Sequence, residues 1–87
     1  MGERAPRPEE LVEIRIPVLD RPGTFAEIAV LATELGINIF DVEIAHSSEG
    51  DRGVLVVVIG AAESDTFTDA LSAKGHRSTT MPVGTVR

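Results

Sequence analysis

The junction at Asp20-Arg21-Pro22-Gly23 constrains this chain more than any other feature, because the period of its apolar residues changes there. Before it, Val12, Ile14, Ile16 and Val18 alternate with Glu13, Arg15 and Pro17. That period of two predicts a half-buried strand over Leu11–Val18. After it, Phe25, Ile28, Ala29, Ala32 and Leu35 fall on one face of a 3.6-residue period, with Glu27 and Glu34 outside. Between them Arg21-Pro22-Gly23-Thr24 reads as a tight turn, in which Pro pre-sets φ and Gly is free to take φ > 0. Thr24 followed by Glu27 reads as a capping box, and Gly36 sits where a left-handed C-cap is expected.

The rest of the chain repeats the pattern. Ile37 to Ser48 reads as a second strand, with Phe40, Val42 and Ile44 on one side and Asp41, Glu43 and Ala45 on the other. Glu49-Gly50-Asp51-Arg52-Gly53 reads as a hairpin loop. Val54 to Ile59 is apolar on both faces, as expected of a central strand. Ser64 or Asp65 is placed to cap a second helix, with Phe67, Ala70 and Leu71 inward and Gly75 closing it. His76 to Val83 reads as a last strand, at an edge because of Pro82.

The order is βαββαβ. Right-handed crossovers then favour an α+β, ferredoxin-like sandwich: an antiparallel sheet of order 4-1-3-2 with both helices on one face. Both faces of strand three are apolar, yet helices cover only one. Either Leu55, Val57 and Ile59 or Val54, Val56 and Val58 therefore face the open side, where a second subunit would cover them or extend the sheet. The expected division is a disordered lead-in at 1–10, one domain at 11–83 and a frayed tail at 84–87.

Composition narrows the functions available. A core drawn from 87 residues, 43% of them apolar, usually leaves only roughly 3–5 kcal/mol of net stability, which oligomerisation would supplement. A net charge of −6, without a basic stripe, makes nucleic acid and anionic membrane poor partners. There is no cysteine, so disulfides and thiolate metal sites drop out, and a cytoplasmic location is the expectation. No apolar run approaches the roughly 18 residues of a membrane span.

His46 and His76 lack companions at ligand spacing, so no metal or other cofactor is expected. Ser47 and Ser48 have no oriented base and no Gly-x-Ser-x-Gly elbow, and Gly23 is not part of a phosphate loop. No catalytic constellation is legible. The start of the first helix is a different matter. Its unpaired N–H groups and positive dipole end suit a carboxylate, and Gly23 permits close approach. Asp20 and Asn38 would supply polar partners. The same residues also satisfy a purely structural account, a turn followed by a capped helix.

The stretch from Val12 to Ile28, followed by Leu35-Gly36-Ile37-Asn38-Ile39, resembles an ACT domain, a small-molecule sensing module attached to enzymes of amino-acid metabolism. The resemblance covers about Leu11 to Val83. Val42 to Ser47, with Gly50 to Leu55, is similar to ACT segments accompanying actinobacterial prephenate dehydrogenase. The dinucleotide-binding domain of that enzyme is not among these residues.

The resemblance implies a homodimer or higher homo-oligomer with an amino acid held at the subunit interface, and an amino-acid biosynthetic enzyme as a further partner. The family's turn glycine would be Gly23, preceded by Asp20, Arg21 and Pro22. Thr24 and Phe25 would line the pocket. Asn38, with Ile39 beside it, would reach the ligand from the start of strand two, often across the dimer. Phenylalanine-binding relatives carry Glu-Ser-Arg-Pro where this chain has Glu43-Ile44-Ala45-His46, so the resemblance does not imply phenylalanine as the ligand. Two other readings follow from the same fold: an assembly module that binds nothing, and an acylphosphatase-like hydrolase suggested by Arg21 and Asn38 but lacking that family's glycine-rich cradle.

Overall fold

The alternation in Leu11–Leu19 (β1) places Ile14 and Ile16 in the centre of the molecule, both fully buried. The computed structural model describes residues 7–19, 23–46 and 52–83. Within it β1 is followed by Thr24–Glu34 (α1), Ile39–His46 (β2), Arg52–Gly60 (β3), Ser64–Ala73 (α2) and Thr79–Pro82 (β4). Short 3-10 turns at Pro8–Glu10 and Ala61–Glu63 lead into β1 and α2. The first of these occupies the end of the segment expected as an irregular lead-in.

The sheet order is β2-β3-β1-β4 and all three pairings are antiparallel, the ferredoxin-like arrangement that the periodicity predicts. Register settles which face of β3 is covered. Leu55, Val57 and Ile59 are buried with Ile28, Leu31 and Ala32 of α1, Phe67 and Leu71 of α2, and Ile37. Each such side chain removed from water contributes about 1.5–3 kcal/mol. Val54, Val56 and Val58 face away from the helices and are only partly buried. β4 pairs with Val12 to Arg15 alone. Pro17 therefore lies beyond the end of that ladder, where a missing N–H is tolerated.

Several local expectations need correction. The capping box at Thr24 and Glu27 does not form. Gly23 is the N-cap, at φ +95°, and among the described residues no side chain caps the helix. Thr24 is already the first helical residue, and a left-handed N-cap lacks the extended backbone that a capping side chain requires. The inward face of α1 is rotated: Leu31 is buried, while Phe25 and Leu35 are exposed. Neither Ser64 nor Asp65 caps α2. The preceding 3-10 turn makes Glu63 its N-cap, again without a side-chain bond.

β2 is shorter than expected at its start, and its alternation slips. Ile39 lies opposite Ile59 and Asp41 opposite Val58, so Phe40 is an inserted residue, a bulge. Val42 and Ile44 share the helix-side face as expected, and Phe40 falls out of step with them. Arg52 and Gly53, read as loop, belong to β3. The last strand begins at Thr79 rather than His76, because α2 closes through a turn that occupies the intervening residues.

Candidate functional site

The two ends of α1 are built differently. At the C-terminal end the N–H of Ile37 donates to the carbonyl of Ala32 at 2.9 Å, and that of Gly36 to Thr33 at 3.0 Å. With Gly36 at φ +74°, these are the paired bonds of a Schellman motif, and Ile37 folds into the core behind them. Most of the orphan carbonyls at that end are thereby satisfied. At the N-terminal end only the first helical bond is made, from the N–H of Glu27 to the carbonyl of Gly23 at 2.8 Å. Among the described residues no side chain caps the N–H groups of the first turn, and Gly23, Phe25 and Ala26 are exposed. A side chain added at Gly23 would meet nothing within 4 Å, so the approach to this turn is open. This end of an 11-residue helix combines donors uncapped among the described residues with the positive end of the dipole, and a carboxylate fits both.

A second contact is attached to the same turn. The Glu27 carboxylate, turned away from the capping geometry, lies 3.7 Å from Nε2 of His76. His76 sits just beyond α2, where its backbone N–H donates to Leu71 at 2.8 Å behind Gly75. Its Nε2 atom is buried and has no hydrogen-bond partner. The two side chains bring the end of α2 close to the first turn of α1. The sequence spacing predicts Glu27 in a cap and gives His76 no partner. The signal available was the position of His76 immediately after the closing glycine of α2, which brings it back over the helix pair.

The sequence-derived site residues divide as follows. Asp20, Arg21 and Pro22 lie outside the described residues. Gly23, Thr24 and Phe25 come together at the start of α1. Asn38 and Ile39 lie beyond its other end, at the start of β2. Asn38 is exposed and Ile39 packs partly against the core. At about 1.5 Å per residue, the 11 residues of α1 hold the two groups about 16 Å apart. A free amino acid, whose backbone is about one 3.8 Å repeat long, does not bridge that gap. Gly23 and Asn38 of one chain therefore cannot hold the same small ligand.

The exposed apolar residues are unevenly placed. Of the six large ones among the described residues, Phe25, Val30, Leu35, Phe40 and Ile44 belong to the unit running from α1 through β2, and Met81 lies elsewhere. β2 is also an edge of the sheet, with one side of its backbone unpaired. A groove of about 580 Å³ runs between Glu9–Val12 and Thr80–Val83 at the opposite edge, and it includes none of the candidate residues. Among the described residues no group of three His, Cys, Asp or Glu is placed to hold a metal ion, and no helix is long and apolar enough to cross a membrane.

No protein-family model matches the chain, and no curated protein matches it either. Solved structures do. The ligand-free regulatory subunit of aspartate kinase from Thermus thermophilus superposes with a TM-score of 0.75 at 16% identity, covering 85% of this chain and 52% of that one. A protein from Bacteroides thetaiotaomicron gives 0.69 at 18% identity, covering 86% of this chain and 50% of its own. An uncharacterized protein from Thermotoga maritima gives 0.63 at 17%, with 84% and 95% covered. The chain thus spans about half the length of the first two. At identities this low the likeness establishes the shared ferredoxin-like fold alone.

Proposed function

We propose that this chain is a regulatory module that binds an amino acid between two copies of itself and catalyses no reaction. The observation that carries the reading is the first turn of α1, whose N–H donors have no side-chain cap among the described residues and stand beside a glycine with open space around it. These donors would take the ligand's carboxylate. Asn38 of a second copy, and the Asp20 and Arg21 side chains preceding the turn, would supply the remaining polar contacts. Thr24, Phe25 and Ile39 would form the walls.

The separation of Gly23 from Asn38 requires the second copy. Two α1 helices lying side by side in opposite directions would bring the Gly23 end of each to the Asn38 end of the other, giving two equivalent sites about a two-fold axis. The same arrangement would cover the apolar flank of α1 and β2. Ligand would favour that arrangement over others by its differential affinity, which is the free energy available for signalling. The likeness to an aspartate kinase regulatory subunit supports a role in amino-acid metabolism and a biosynthetic enzyme as the regulated partner. The narrower similarity of Val42 to Ser47 points within that group to a prephenate dehydrogenase.

The apolar flank by itself also fits an assembly module without a ligand. Calorimetric titration and thermal shift of the intact chain against each of the twenty amino acids separate the two. Heat and stabilisation with one or a few amino acids are expected. A dimer that responds to none would replace the binding reading with the assembly one. In the binding case Gly23→Trp loses the ligand and keeps the dimer.

A further inference from the structure

The sheet face turned away from the helices has a definite pattern. Val54, Val56 and Val58 form a column along β3. On the β1 side they are flanked by Pro17, Arg15 and Glu13, and on the β2 side by Ala45, Glu43 and Asp41, row by row. The two flanks differ in charge. Arg15 and Glu13 neutralise each other, with Nη2 3.2 Å from Oε1. Asp41 and Glu43 have no cation within salt-bridge distance among the described residues. Arg52 lies on the same face one step beyond Val54, at the far end of the column from Asp41. The face is thus an apolar column with an acidic flank on β2, the Arg15–Glu13 pair on β1 and Arg52 at one end.

From this we infer that the open face is a docking surface for a basic amphipathic helix of a partner protein. Side chains on one face of a strand repeat every two residues, about 6.8 Å, so Asp41 and Glu43 stand about that far apart. Residues four apart on a helix rise about 6 Å. A helix laid along β3 would set apolar residues over the valines and lysine or arginine residues at i and i+4 over Asp41 and Glu43. From Val54 to Val58 the column runs about 14 Å, the length of about two and a half helical turns. Helix on sheet is a standard way to bury an apolar sheet face.

Charge disfavours a second copy on this face. A two-fold axis along β3 sets Arg52 against its own copy and Glu13 against Asp41, and only the Arg15 row meets an opposite charge, Glu43. A two-fold axis across the strands sets Arg15 on Arg15 and Glu43 on Glu43. Like charges meet either way. The surface is therefore separate from the α1–β2 flank of the proposed dimer, and the inference stands or falls independently of amino-acid binding.

The test titrates the full chain with a labelled 18-residue helical peptide of leucine and lysine, leucines on one face, following fluorescence anisotropy and the methyl resonances of the valines. Binding is expected, with the largest shifts at Val54, Val56 and Val58. The double substitution Asp41→Lys with Glu43→Lys is expected to weaken it about tenfold or more. Glu34→Lys with Glu63→Lys makes the same charge change away from this face and is expected to leave affinity within about twofold. Asp41→Asn with Glu43→Gln, nearly isosteric, gives the same direction of effect if the lysine pair does not fold. No binding by the native chain, equal weakening by both lysine pairs, shifts centred on the helices, or a dimer that Val56→Lys dissolves would each overturn the inference.

Discussion

The two ends of α1 show how one helix can be finished for stability at one end and left unfinished at the other. At the Gly36 end the backbone satisfies its own carbonyls and Ile37 seals the turn against the core. At the Gly23 end a left-handed glycine opens the helix without a side-chain cap, and the first-turn residues are largely exposed. Glycine stands at both junctions, with φ +95° and +74°. Its purpose differs. At Gly36 the left-handed conformation completes a hydrogen-bonded closure. At Gly23 it keeps donors uncovered and removes the side chain that would stand in front of them. Stability is concentrated at one end and available chemistry at the other.

Substitutions at the two ends should separate these roles. Ile37→Ala should cost the most, about 3 kcal/mol in denaturant unfolding, because it hollows the seal at the closed end. Its counterpart at the open end, Phe25→Ala, removes a side chain that is 47% exposed and should change unfolding by only about 0.5 kcal/mol. Its effect should appear instead as a weaker dimer in sedimentation. If Phe25→Ala proves as costly as Ile37→Ala in the monomer, the contrast between the ends is wrong.

Gly36→Ala and Gly23→Ala should each cost about 1–2 kcal/mol, since both force an alanine into the left-handed region. Calorimetry on the folded proteins should then show unchanged ligand affinity for the first and reduced affinity for the second. Thr24→Ala should have the smallest effect on stability, below about 0.5 kcal/mol, because no cap bond is lost. A cost near 2 kcal/mol would restore the capping box and remove the free donors on which the binding site depends.

The same contrast explains what the sequence disclosed. The closed end was legible, because a glycine after an apolar periodic run is a direct consequence of backbone geometry. The order of elements, the sheet order and the inward residues Ile14, Ile16, Phe67 and Leu71 were legible for similar reasons of period. The open end was not. Thr24 and Glu27 have the spacing of a capping box, and only the backbone conformation at Gly23, which starts the helix one residue early, defeats it. Phe25 and Leu35 match the helical period but sit at the margins of a face centred on Ile28, so a small rotation exposes them. Phe40 matches the alternation of β2, and a single inserted residue moves it out of register. These misreadings fall on the α1–β2 unit, where the exposed apolar side chains collect. A monomer's own packing need not account for residues whose burial is expected to come from a second copy.

The resemblance joins Gly23 and Asn38 in one site, with Asn38 often reaching across the dimer. The helix between them places them at its opposite ends, which is the reason a shared site is proposed. This is the central claim, and a mixing experiment tests it directly. Gly23→Trp and Asn38→Ala chains are prepared separately, each expected to bind no amino acid, then mixed in equal amounts and allowed to exchange subunits. Half of the dimers formed at random pair one variant with the other, and each of these carries one site with both native residues. Calorimetric stoichiometry should recover to about one quarter of the native value at native affinity. Exchange without any recovery of binding would contradict the shared site.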